Sequence, residues 1–176
     1  MLMSVALLTT TSCEGFLNIT PEGQAKRDEL LNTQQGIEDA LYGAYSQMRG
    51  QSLYGQELYF STLEILSQTM WCNGSTSVTG VTAMSEYDWA HSSVKGIFNG
   101  AWTAMYKNIS NVNSILDAPL VKDATSYPYT VYRGEALGLR AFMHFDLVRL
   151  FAQQYTVNPA ADGIPYATDF SLITPD

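Results

Sequence analysis

The hydrophobic positions of the chain fall into four runs with helical spacing, separated by polar stretches. Ile37, Leu41, Ala44 and Met48 recur at steps of three and four, with Tyr45 beside them, and predict a helix over residues 34–49. Thr33 supplies a capping oxygen at its start, and Gly50 stands where a helix commonly ends. Tyr59, Leu63, Leu66 and Met70 predict a second helix over 56–70, antiparallel to the first because the connector is short and contains glycine. The cleanest stripe is Phe98, Trp102, Met105, Ile109, Val112 and Leu116, which predicts a third helix over 97–117 with Pro119 just beyond it. The fourth, over 131–154, carries two stripes. One is Ala136, Leu139, Met143, Leu147 and Leu150; the other is Leu137, Ala141, Phe145 and Val148, on the opposite side. A surface helix has one apolar face, so this one is expected to have neighbours on two sides, with Arg133, Glu135, Arg140, Asp146 and Arg149 in the seams. The expected fold class is all-α, built from two helical hairpins, first with second and third with fourth.

The stretches between these runs differ in kind. Residues 71–96 are rich in Gly, Ser and Thr, with Trp71, Tyr87 and Trp89 interleaved. That is far longer than a usual helix connector, and long loops are commonly functional. Residues 1–8 are apolar and lead through small hydroxyl residues to Cys13, which reads as the end of a secretory signal over 1–12. Residues 14–33 are polar with few apolar anchors and are expected to be extended. After Tyr155 the chain is turn-rich, with Asp162-Gly163 and two later prolines.

Composition narrows the function. With 46% hydrophobic and 12% aromatic residues in 176, the chain can bury a real core. A net charge of -8 argues against a nucleic-acid partner and is compatible with neutral ligands such as sugars. The two cysteines, Cys13 and Cys72, cannot make a disulfide framework, and Cys72 is expected to be unpaired. No zinc-ligand spacing and no Gly-rich phosphate loop appears, so neither metal nor cofactor is expected. No apolar run reaches the 18 residues or so that a membrane-crossing helix needs.

Several short motifs, in order, carry a family resemblance. Arg140-Ala141, Phe142, Phe145 and the run Leu147 to Phe151 resemble the signature helix of the SusD/RagB family, with Ala152 where that family usually has glycine. Trp102, Tyr106, Ile109 and Asn113 are similar to a recurrent family spacing, and Gly163-Ile164-Pro165 resembles the step that follows the signature helix. Thr10-Thr11-Ser12-Cys13 resembles a lipobox, with Thr10 in place of the usual leucine. Phe16-Leu17-Asn18-Ile19-Thr20-Pro21 resembles the family's tether. The resemblance implies tetratricopeptide-like hairpins, although the loop before the fourth helix breaks a strict 34-residue register. It implies a lipoprotein of the outer-membrane surface: lipidation at Cys13, a tether over 13–33, and the N-terminal part of a longer helical domain over 34–176. It implies capture of oligosaccharide, or in some members peptide, for a SusC-like TonB-dependent transporter, with no bond made or broken.

The candidate ligand residues are Trp71, Asn73, Tyr87 and Trp89. Indole and phenol rings stack on the flat C–H faces of sugars, while amides and hydroxyls bind sugar hydroxyls. The family draws part of its sugar-contacting arc from the loop between the second and third helices, where these residues fall. A second reading stays open for each: Trp71 closes the second helix as core, and Tyr87 and Trp89 pack the loop down. Trp102 and Tyr106 lie on a helical stripe and are expected in the core. Glu57 and Glu64, seven apart, would make a carboxylate pair or two solvated glutamates. His91, near Asp88 and Ser92, makes no triad alone, and His144 is expected to pack. Beside glycan capture stand two other functions: a tetratricopeptide-like module that binds a peptide or another envelope protein, and a glycoside hydrolase fragment.

Overall fold

The computed structural model describes residues 27–70 and 80–171. The signal and lipobox segments, Cys13, Trp71, Cys72 and Asn73 lie outside the described residues. The fold is all-helical, and no strand occurs among the described residues. Its elements are α1 (Arg27–Leu30), α2 (Gln34–Met48), a π-helical turn (Leu58–Thr62) running into α3 (Leu63–Leu66), α4 (Val81–Ser85), α5 (Ser92–Leu116) and α6 (Tyr129–Phe151). The end of the stretch expected to be extended is thus helical, and Leu31 behind α1 is buried in the core.

Helix α2 starts where its sequence says it should. Thr33 is extended, and its hydroxyl accepts from the Gly36 N–H at 3.0 Å. The α1–α2 turn is so tight that a Cβ on Gly36 would lie 1.8 Å from the Leu30 carbonyl oxygen. Ile37, Leu41 and Ala44 are buried, as their spacing predicts. They face α5 and α6, which are antiparallel to each other and form the largest contact in the fold. Met105, Ile109, Val112 and Ile115 of α5 meet Ala136, Leu139, Met143 and Leu147 of α6, all fully or nearly fully buried. One buried amide threads the three: Asn108 donates to the Ala44 carbonyl at 3.0 Å and to the Met143 sulfur at 3.5 Å.

Three expectations change. Helix α5 begins at Ser92, five residues before the expected start, because His91 caps it: Nδ1 accepts from the Ser93 N–H at 3.2 Å. The second helix is not one regular helix. The wider π turn shifts the facing register, so Leu58, Thr62 and Ile65 are the fully buried residues, the expected Tyr59, Leu63 and Leu66 pack half-buried beside them, and Met70 is exposed. The second stripe of α6 is left largely uncovered by the described residues: Leu137 is half-buried, while Ala141, Phe145 and Val148 are exposed, Phe145 by 57%. The polar residues His144 and Asp146 are buried beside the first stripe instead.

Those polar residues explain how the tail folds back. Beyond Phe151 the chain leaves the helix at Ala152 in an extended conformation (φ -94°, ψ 155°), which requires no glycine. Residues 162–171 then run across α5 and α6 as a strap. Tyr106 donates to the Pro165 carbonyl at 2.7 Å, and burial pushes its hydroxyl pKa up to about 12, so it stays protonated. Asn113 donates to the Ala167 and Asp169 carbonyls at 3.1 and 3.0 Å and accepts from Arg140 at 3.0 Å. His144 Nε2 accepts from the Ala167 N–H at 3.1 Å. A backbone N–H can only donate, so the ring proton sits on Nδ1, 2.9 Å from the Arg140 carbonyl. Tyr106, Asn113 and the signature-helix residues Arg140 and His144 are therefore structural anchors for this strap.

Candidate functional site

The residues between α3 and α5 form a small lobe whose geometry sets the site. Helices α3 and α4 have only four and five residues, and each ends in a Schellman motif. At the end of α3, Gln68 is left-handed (φ 58°), and the Gln68 and Thr69 N–H groups return to the Ile65 and Glu64 carbonyls. At the end of α4, Tyr87 is left-handed (φ 57°), and the Tyr87 and Asp88 N–H groups return to the Met84 and Ala83 carbonyls. Left-handed backbone at a residue with a Cβ is costly, and here the two ends support each other. The Gln68 amide donates to the Ser85 carbonyl at 3.0 Å, and the Tyr87 hydroxyl donates to the Leu66 carbonyl at 2.9 Å. Under them Ile65, Met84 and Val94 make a second small core.

This cross-tie places Trp89. Its ring lies 5.9 Å from that of Tyr87 and 5.8 Å from that of Phe98, yet 52% of the residue remains exposed. The aromatic contacts continue inward through Phe98 and Phe151 (5.9 Å), Phe151 and Trp102 (4.8 Å), and Trp102 and Tyr106 (4.8 Å). Trp89 is thus the outer end of a file of rings that starts in the core. Trp102 and Tyr106 sit in the core file, as their stripe predicts.

Beside Trp89 opens a cleft of about 500 Å³ between α3, the start of α5 and the end of α6. Trp89, Phe98 and Phe151 give it flat apolar surfaces, and Lys95, Asn99 and Arg149 give it polar ones. Arg149 is held in place: Nη1 lies 3.3 Å from Asp146 Oδ1, and the guanidinium stands 5.3 Å over the Phe145 ring. The buried Asp146 is in turn fixed by the Tyr59 hydroxyl, 2.9 Å from Oδ2. A flat wall beside fixed donors suits a pyranose ring with its equatorial hydroxyls.

Of the four expected ligand residues, the structure brings together Tyr87 and Trp89. The Tyr87 ring is half exposed, but its hydroxyl is engaged in the cross-tie. In the sequence Phe98 reads as a core stripe residue, Phe151 as the last aromatic of the Leu147–Phe151 run, Arg149 as a charge in a seam between stripes and Lys95 as part of the 71–96 loop. Other candidates find structural partners. His91 caps α5, Glu57 accepts from the Gln51 amide at 3.2 Å, and Glu64 accepts from the Thr69 hydroxyl. No group of three or more His, Cys, Asp or Glu suited to a metal occurs among the described residues, and no described helix is long and apolar enough to cross a membrane.

The SusD-like family described as starch-binding and associating with the outer membrane matches residues 15–172. The chain belongs to the SusD-like family. The match spans the whole described fold, including α5, α6 and the strap. SusD-like membership carries starch or glycan binding in association with the outer membrane. No curated protein and no solved structure matches the chain at a significant level.

Proposed function

We propose that the chain captures oligosaccharide at the outer-membrane surface and hands it to a SusC-like TonB-dependent transporter, without chemical turnover. The observation that carries this reading is the cleft at Trp89: a half-exposed indole on a supported file of rings, beside fixed hydrogen-bond donors, in a SusD-like chain. Tyr87 orients Trp89 and offers its ring edge, and Trp71 and Asn73, which lie outside the described residues, are proposed as further ligand residues. Lipidation at Cys13 anchors the protein, with 1–12 as signal and a tether that ends before α1 at Arg27. A bacterial lipoprotein anchor of several acyl chains holds a membrane stably, where a single chain binds only marginally.

Pull-down on immobilised glycans and pull-down of a SusC-like transporter test this reading together. Retention by both supports it. Transporter capture with no glycan retained would instead favour the tetratricopeptide-like interaction module, and turnover of any glycan would favour the hydrolase.

A further inference from the structure

We propose that the Trp89 cleft selects anionic sugars, pyranose rings bearing a carboxylate or a sulfate ester, and that Lys95 and Arg149 read the charge. The inference rests on the glycan-capture reading and assigns the ligand's charge within it. The chain carries 17 acidic and 9 basic residues, so an arbitrary patch of its surface is expected to be acidic. The cleft reverses that balance: its described lining holds two cations and no carboxylate. Asp88, next to Trp89, turns its carboxylate to the Ala90 N–H at 3.0 Å.

The two cations are placed differently, and both placements point to a ligand. Arg149 is oriented by the buried Asp146 through Nη1 and lies beside the Tyr59 hydroxyl, but its fork carries five donors and 53% of the side chain remains exposed. A guanidinium fixed on one edge presents its remaining donors in the paired geometry that carboxylate and sulfate oxygens match. Lys95 makes no ion pair with any described residue and sits in the first turn of the 25-residue α5. Helix stability favours acidic residues there, and the first turn of α5 has none. Lys95 and Arg149 thus line one cleft, next to the rings that would take the sugar's apolar face.

Calorimetric titration of the full chain at low salt tests this with three probes: oligogalacturonate, a sulfated carrageenan oligosaccharide and a maltooligosaccharide. At least one anionic probe should bind roughly tenfold tighter than the neutral one, the scale of one charge-assisted contact. Whichever anion binds best assigns carboxylate or sulfate. Lys95→Met should collapse the preference, while Lys107→Met, the same charge change on an exposed part of α5 outside the cleft, should retain it. A neutral probe that binds as tightly as both anions overturns the inference and leaves glycan capture standing. Equal collapse in both variants overturns it too, because net charge then accounts for the preference. Binding of no probe removes the capture reading along with it.

Discussion

The α2–α5–α6 core and the lobe between α3 and the start of α5 are built by different means. The core is three long helices whose apolar stripes interdigitate, and its central side chains have essentially no exposure. The lobe is two helices of a single turn or so, around three buried side chains. What fixes it is polar: two left-handed helix ends, each bonded to the other's last turn. Helix α5 belongs to both, giving Val94 to the lobe and Met105 onward to the core. The cleft opens where the two meet. The long helix pair supplies Phe98, Arg149 and Phe151, and the lobe supplies Trp89.

The contrast is broken most directly at Leu147, which has no exposure and sits in the α5–α6 seam. Leu147→Ala should destabilise the whole protein by about 2–5 kcal/mol, read from denaturant midpoints. A loss under about 1 kcal/mol would mean that the long-helix core is not what holds the fold.

A smaller, local effect is expected at Tyr87. Tyr87→Phe removes only the hydroxyl bond to the Leu66 carbonyl and should cost about 1 kcal/mol. Amide hydrogen exchange should quicken across α3 and α4 and stay unchanged in the middle of α5. Equal quickening in both would show that lobe and core unfold as one unit.

The same difference decides what could be read from sequence. The stripes of α2, α5 and α6 span several turns each, so periodicity finds them, and Leu147 was identifiable as core. The lobe's helices are too short to show a period. Their ends are also unmarked, because Gln68 and Tyr87 occupy left-handed positions where glycine is the usual signal. Glycine does mark the lobe once: Gly80 (φ 99°) precedes α4, and a Cβ there would lie 2.7 Å from that of Ser93. The second stripe of α6 promised a neighbour, but periodicity reports only that a face is apolar, not what covers it. Trp89 was legible as an aromatic in a polar stretch. Phe98 was hidden at the start of a helical stripe, since a side chain at the end of a stripe is apolar whether it lines a core or a cleft.

The strap adds a pH-dependent term to the core side of the comparison. His144 is held neutral, with Nε2 accepting from Ala167, and burial lowers its pKa from the ordinary histidine value. The folded protein therefore binds fewer protons than the unfolded chain in this range, and stability rises with pH. The His144 contribution should be fully present above about pH 6.5, the unfolded value, and be lost as pH falls through the lower folded value. Melting temperatures of the protein and of His144→Gln, taken from about pH 7.5 down to about pH 5, should converge on acidification. Parallel curves would show that His144 does not titrate with folding.

The smallest effect on stability, and the sharpest on function, is expected at Trp89. Half of the residue faces solvent, and its contacts are to Tyr87 and Phe98, themselves supported from behind. Trp89→Ala should therefore cost under about 1 kcal/mol of stability, far below the value for Leu147. Losing a stacking face should weaken glycan binding by roughly three- to tenfold, the worth of one aromatic contact beyond its buried area. Titration of the best-binding oligosaccharide, with a melt of the same samples, separates the outcomes. Weaker binding at nearly constant stability makes the lobe a carrier for a binding platform. A destabilisation comparable to that of Leu147→Ala makes Trp89 a core residue and erases the distinction between lobe and core. No change in either property removes the cleft from the glycan site, because a ring that touches neither the fold nor the ligand has no role in them.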